Sequence, residues 1–299
     1  MYMMRNQYEV KSGDLIKGKW TGHIWRVERE IGRGANGIVY LVTGVVGQAA
    51  LKFADSSSVA AETNSLTALE RVRGSSPGPF FIEADDAEQG GAVHPFYIME
   101  YIEGPMLHTF MKQKKQEWAI ILLIWLLHFL EALHHAGCVM GDLKPENFIV
   151  TGDKNKIRAV DVGGITKFGR SVKEYTALYD RAAWQAGTRK AEPSYDLFGA
   201  AVLIAALVHR QPVHQALGDR EALVRIIQSS AVLQKIAPVL TKALYNEYDQ
   251  AVTMRKELLY CFAQSSSSPQ KTKRKVVLQA RWMVYAGAFA AILAFFLLN

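Results

Sequence analysis

Cysteine is almost absent: the 299 residues hold two, Cys138 and Cys261, far apart and without C-x-x-C spacing. That excludes a disulfide framework or a thiolate zinc site and fits a reducing compartment. The N-terminus lacks an apolar run, because Met1-Tyr2-Met3-Met4-Arg5 soon gives way to Glu9, Lys11 and Asp14; no signal peptide is read there, and the folded part is expected to stay in the cytoplasm. Acidic residues are missing from 265 to 299, where Lys271, Lys273, Arg274, Lys275 and Arg281 lie; removing those five from the net charge of +7 leaves +2 for the rest. The basic balance therefore belongs mostly to the tail and says little about the partners of the main domain. No internal repeat and no G-x-x-x-x-G-K-[ST] loop is present.

At 49% hydrophobic, the chain can bury a core of one large domain or two lobes. Residues 25–31, 38–43 and 48–53 read as strands separated by a glycine-rich turn and a turn at 44–47. Residues 60–72 carry Leu66, Leu69 and Val72 at helical spacing, and Gly74-Ser75-Ser76-Pro77-Gly78-Pro79 ends that pattern. Residues 80–82 and 96–99 suit further strands, and the chain turns helical after Pro105. The apolar stretches 119–127 and 197–208 are too short to cross a bilayer and read as core helices. Residues 282–298 differ: seventeen residues without charge or proline follow a serine-rich linker and a basic cluster, a length that just spans a membrane.

Three groups of residues carry chemistry. Gly32-Arg33-Gly34-Ala35-Asn36-Gly37-Ile38-Val39 lets backbone amides approach a polyphosphate, and the β-branched and aromatic residues after it favour a hairpin over a dinucleotide-binding helix. Lys52 stands on an otherwise apolar strand, fifteen residues past Gly37, with Glu62 ten residues further in the helical segment. Such a lysine and glutamate can pair to position the lysine against phosphates; Glu70 is the competing partner. Asp142-Leu143-Lys144-Pro145-Glu146-Asn147, followed by Asp161-Val162-Gly163, supplies one carboxylate to take a hydroxyl proton and an Asn and Asp to hold a divalent cation.

On these motifs residues 20–262 resemble the eukaryotic-like serine/threonine protein kinases of bacteria, and the C-terminal helix resembles that of the membrane-anchored YabT-like kinases of spore-forming bacilli. The resemblance implies an α+β, bilobal protein-kinase fold, with a small antiparallel sheet lobe at about 20–104 and a helical lobe at about 105–262. Residues 1–19 would be an N-terminal extension, 263–281 a linker and 282–298 a transmembrane helix, with the kinase domain cytoplasmic. It implies ATP and Mg²⁺, with Mn²⁺ as the alternative ion. Gly32, Gly34 and Gly37 would cover the phosphates, Lys52 and Glu62 form the activating pair, Asp142 act as base and Lys144 contact the γ-phosphate, with Asn147 and Asp161 on the metal. Val39, Ala50 and Ile149 would sandwich the adenine, Met99 would be the gatekeeper, and the backbone of Glu100 to Ile102 would hold the base. A tethered pseudokinase scaffold is the alternative; it would require loss of Lys52, Asp142, Asn147 or Asp161, and none is lost. A small-molecule phosphotransferase of the same fold is disfavoured by Lys144-Pro145-Glu146.

The departures are informative. Met140-Gly141 stands where the family has His-Arg, and Val162 where it has Phe; Met140, Val162 and Leu66 can still fill the apolar stack. The missing arginine ordinarily grips a phosphate on the activation segment. Phosphorylation there, with Ser171, Thr176 and Thr188 as candidates, is therefore not expected to be an absolute switch. Gly187 to Pro193 replaces the usual longer run ending in Ala-Pro-Glu; Thr188 is matched to the threonine beside the base and Asp196 to the helix-opening aspartate. Expected partners are protein substrates, a second copy for autophosphorylation, the membrane, and DNA or anionic lipid through Lys271, Lys273, Arg274, Lys275 and Arg281. His134-His135, Lys112 to Lys115 and the tryptophans are read as core or solvated faces.

Overall fold

A computed structural model describes residues 10–34, 37–70, 78–152 and 156–267. The five tail cations, residues 282–298, the loop residues Ala35 and Asn36 and the Glu70 side chain lie outside the described residues.

The chain opens with β1 (Leu15–Lys17), β2 (Ile24–Gly34), β3 (Gly37–Gly44) and β4 (Gly47–Phe53), then helix α1 (Ser56–Glu70) and the hairpin β5 (Phe81–Gln89) and β6 (Ala92–Glu100). These strands form an antiparallel sheet in the order β1-β2-β3-β4-β6-β5. The period of two sorts its side chains. Ala49, Leu51 and Phe53 of β4 join Phe96 and Ile98 of β6 and Ile38, Tyr40 and Val42 of β3 in one buried cluster around Trp25. Ala50, Lys52, Tyr97 and Met99 consequently face the other way, with Lys52 opposite Tyr97 and Ala50 opposite Met99 in register.

Helix α1 begins at Ser56, four residues before the sequence pattern suggested. Asp55 caps it, its carboxylate accepting from the Ser57 and Ser58 amides at 3.0 Å, and hydrogen bonds from these serines hold the Asp55 carboxyl well below its ordinary value. The β5–β6 hairpin is longer than its apolar segments. Glu83, Asp85 and Asp86 lie within β5, and Gly90 and Gly91, at φ 58° and 83°, make its turn. The sheet starts at Leu15, inside the stretch read as an extension.

Those acids close the sheet on itself. Buried Asp85 accepts from the Trp20 amide, the Thr21 amide and the Thr21 hydroxyl at 2.9, 2.9 and 2.6 Å, and Glu83 accepts from Trp25 Nε1 at 2.8 Å. A Cβ at Gly18 would collide with Asp85 Oδ2, so glycine is what lets the connection after β1 approach the carboxylate this closely.

The helical lobe follows: α2 (Leu107–Lys112), α3 (Trp118–His135), β7 (Cys138–Val139), β8 (Phe148–Thr151), β9 (Lys156–Ala159), β10 (Thr166–Lys167), α4 (Pro193–Val208), α5 (Arg210–Gln215), α6 (Arg220–Ser229), α7 (Ala237–Leu244) and α8 (Ala251–Ser267). By length and composition α3 could cross a membrane. Its Leu122, Leu123, Leu126, Leu127 and Leu130 are instead fully buried in the core that also takes Leu197 to Val208 of α4.

Burial opposes ionisation of Asp85, but hydrogen bonds from Thr21, Trp20 and Asp86 hold its carboxyl below the ordinary 3.8. Its folded-state value being depressed, the stabilisation is complete above the unfolded value and is lost as pH falls below it. Asp85→Ala should lower stability in urea by about 1–3 kcal/mol at pH 7. The deficit should shrink at pH 3, and a deficit equal at both pH values would contradict this role.

Candidate active site

Lys52 is presented by β4 on the face turned toward the helical lobe, and Glu62 lies on the inner side of α1 in line with Leu66 and Leu69. Lys52 Nζ donates to Glu62 Oε1 at 2.8 Å and to Oε2 at 2.6 Å, both residues buried. Tyr97, opposite Lys52 in the sheet, donates its hydroxyl to Glu62 Oε2 at 2.5 Å. Burial, then the neighbouring Glu62 and Asp161 carboxylates, push the Tyr97 phenol up, so it remains a donor. Sequence reasoning missed Tyr97, since it resembles any half-buried strand tyrosine.

The catalytic loop leaves β7 at Met140 and is held from beneath by Asp196, in the first turn of α4. Asp196 Oδ2 accepts from the Met140 amide at 2.8 Å and Oδ1 from the Gly141 amide at 3.1 Å, while His134 Nε2 lies 3.0 Å from Oδ2. Asp142 is buried. Its Oδ2 accepts from Lys144 Nζ at 2.5 Å, and Asn147 Nδ2 donates to its backbone oxygen at 2.9 Å. Burial alone would lower the Lys144 ammonium, but Asp142, and behind it Asp161 and Glu146, hold it above its ordinary value. Asp161 follows β9 and accepts from the Gly163 amide at 3.1 Å. Met140, Val162 and Leu66 are all fully buried in one continuous cluster, as the apolar-stack reading required.

The activation segment corrects one assignment. Thr176, not Thr188, sits beside the base, its hydroxyl donating to Asp142 Oδ1 at 2.8 Å. Thr188 is exposed, and its carbonyl accepts from Arg181 Nε at 2.7 Å. Three further pairings fasten the segment: Arg181 to Glu192 at 2.6 Å, Arg189 to buried Asp180 at 2.8 Å, and Tyr195 Oη to Asp180 at 3.1 Å. Gly141 has φ +78°, and a Cβ there would lie 2.7 Å from the Gly164 oxygen and 3.1 Å from Val172 Cγ1. Val172 is buried against Val139, Ala191 and Tyr195. An apolar cluster thus packs against the position that carries the arginine in the family.

On the nucleotide side, Val39 is opposite Lys52 in the sheet and Ala50 opposite Met99. Ala50, Met99, Ile102 and Ile149 are buried, with Ile149 bridged to Met106. The Glu100 side chain is engaged by Arg158, which donates to Oε1 and Oε2 at 2.7 Å each and so ties the end of β6 to β9. A Cβ at Gly34 would meet nothing, which leaves open space along the glycine-rich loop. Glu174 of the activation segment stands near Asp161: a Cβ on Gly163 would touch Glu174 Oε2 at 3.0 Å and Asp161 Oδ1 at 3.4 Å. Burial and the Asp161, Glu62 and Asp142 charges raise the Glu174 carboxyl above its ordinary value. This surplus of negative charge, with the oxygen-bearing donors Asn147 and Asp161 at hand, suits a hard divalent cation such as Mg²⁺.

A two-lobed fold with a buried lysine–glutamate pair facing an Asp-Lys-Asn catalytic loop defines a protein kinase. The protein kinase domain family matches residues 25–283, and the chain belongs to that family. It is 42% identical to the serine/threonine-protein kinase YabT of Bacillus subtilis over 88% of this chain and 79% of that one, which makes it a bacterial YabT-like serine/threonine protein kinase. It is also 32% identical to PknL of Mycobacterium tuberculosis over 38% of this chain and 31% of that protein. Among solved structures it is similar in fold to vaccinia related kinase 3, with a TM-score of 0.61, 16% identity and coverage of 87% of this chain and 93% of that one.

Tyr97→Phe deletes the buried donor to Glu62 without changing the ring. It should raise KM for ATP and lower kcat/KM about tenfold to a hundredfold, the cost of one hydrogen bond to a charged group. Unchanged ATP kinetics in a folded variant would remove Tyr97 from the site.

Proposed function

We propose that this chain transfers the γ-phosphate of ATP to serine and threonine hydroxyls of proteins, itself included, while anchored to a membrane by residues 282–298 with the kinase domain in the cytoplasm. The observation that carries the transfer is the convergence of Thr176, Lys144 and Asn147 on Asp142, facing an intact Lys52–Glu62 pair. Asp142 takes the proton of the acceptor hydroxyl as its oxygen bonds to the γ-phosphorus and the bond to the β-phosphate oxygen breaks, releasing ADP. Lys144, beside the base, offsets charge on the transferring group, and Lys52, fixed by Glu62, is placed for the α- and β-phosphates. Asn147 and Asp161 would hold Mg²⁺, which supplies charge neutralisation between the phosphates.

The anchoring and its regulation rest on sequence. Residues 271–281 place five cations directly before the apolar stretch, on the side of the kinase domain, in line with the positive-inside bias for a cytoplasmic kinase domain. The same cations, after a serine-rich linker, suit DNA or an anionic lipid surface, where clustering would raise the local concentration of one kinase around another. If all five engage duplex phosphates, log affinity should fall against log salt with a slope of about −4.5 at most. Two experiments on the full-length chain test this. Carbonate extraction should leave it in the membrane pellet, and release would refute the anchor. In detergent, DNA should stimulate autophosphorylation, and neutralising Lys271, Lys273, Arg274, Lys275 and Arg281 should abolish that stimulation; equal activity with and without DNA would reduce the segment to a membrane flank.

Asp142→Asn should lower phosphoryl transfer from labelled ATP to a generic protein substrate by roughly 10²–10⁴. Retention of more than about a tenth of the activity would remove the base from this mechanism.

A further inference from the structure

The activation segment contains a cleft that the phosphoryl-transfer chemistry does not use. Gly169 to Val172 pairs with Arg189 to Ala191 through the hydrogen bonds Gly169 N to Ala191 O, Ala191 N to Arg170 O and Val172 N to Arg189 O, at 2.8, 2.7 and 2.8 Å. The pairing encloses an open cleft of about 260 Å³ lined by Gly169, Arg170, Ser171, Thr188, Arg189 and Lys190. Three of these six are cations and two bear hydroxyls.

The acids nearby leave that charge largely available. Asp180 is fully buried and takes one edge of Arg189, whose guanidinium also stacks on Tyr175 at 3.9 Å while its side chain stays 38% exposed. Glu192 is committed to Arg181 at 2.6 Å and reaches Lys190 only at 3.6 Å. Glu174 stands beside Asp161 instead. Arg170 is exposed and has no ion pair among the described residues. Asp180 and Tyr175 thus fix one guanidinium in place, with the exposed cations Arg170 and Lys190 lining the same cleft, an arrangement suited to a carboxylate or phosphate.

The position fits a substrate. Ser171 lies five residues before Thr176, which bonds the catalytic base, and five extended residues span at most about 18 Å. A peptide with its hydroxyl at Asp142 therefore reaches the cleft within about five residues. The volume suits one side chain, not a nucleic-acid strand.

We propose that this cleft is a substrate subsite for an acidic or phosphorylated side chain within about five residues of the acceptor hydroxyl. The inference rests on the protein-directed phosphoryl transfer proposed above and adds its sequence preference.

The test uses the full-length chain in detergent, treated with phosphatase so that phosphate on Ser171 or Thr188 does not occupy the cleft. Serine peptides carry glutamate, phosphoserine or glutamine at each position up to five residues either side of the acceptor. The best-placed glutamate should raise kcat/KM about tenfold over glutamine, mainly through KM and less so at high salt, and phosphoserine should raise it further; single exposed pairs contribute a factor of about five or less, so more than one cation must act. Arg170→Ala with Lys190→Ala should cut the preference to about twofold while leaving glutamine peptides and KM for ATP unchanged. Arg189 is left intact because Asp180 would otherwise be buried unpaired. Equal use of acidic and neutral peptides by the unmodified chain, an undiminished preference in the double variant, or equal loss on both peptides would each overturn the subsite while leaving the kinase reading in place. Transfer to none of the peptides would overturn that reading and the subsite with it.

Discussion

The carboxylate of Asp196 organises the active site. It is fully buried in the first turn of a core helix, and it holds the consecutive amides of Met140 and Gly141 on its two oxygens. A buried charge is tolerable only when its lone pairs are filled, so the loop that carries Asp142 must adopt the one path that brings those amides to it. With that path set, Lys144 and Asn147 fall on either side of the base. Gly141 then takes a left-handed conformation that leaves room for Val172.

That last contact changes how the activation segment is held. In a kinase with an arginine before the catalytic aspartate, the segment can be fastened by a phosphate on that guanidinium. Here fastening comes from the apolar cluster of Val172, Val139, Ala191 and Tyr195, from the Asp180 pairing with Arg189 and from the Arg181 pairing with Glu192. Thr176 reaches the base as part of the same arrangement. Each of these contacts joins groups of the chain to one another.

The parts visible in the sequence were those encoded locally. The apolar runs at residues 48–53 and 96–99 read as strands, and the Asp-Leu-Lys-Pro-Glu-Asn string carries its chemistry within six residues. Lys52 and Glu62 were found because their spacing matched a strand followed by a helix. What stayed hidden depends on distant partners: Tyr97 with Glu62 across 35 residues, Arg158 with Glu100 across 58, and Asp85 with Thr21 across 64. The polar half of β5 looked like loop because its acids serve Trp25 and the β1–β2 turn, which no short window contains. Thr188 invites the assignment beside the base because its neighbourhood, ending in Ala191-Glu192-Pro193, imitates a familiar motif in scrambled order; only the folded segment shows that the Thr176 hydroxyl meets the base.

The central claim is that this catalytic site is assembled by internal packing before any phosphate is added. Full-length kinase stripped by a phosphatase, freed of that phosphatase and mixed with labelled ATP, magnesium and an exogenous protein substrate tests it through the first turnovers. Substrate phosphorylation should start at its full rate with no lag while Ser171, Thr176 and Thr188 remain unmodified. A lag that ends only as phosphate accumulates on one of those residues would contradict the account.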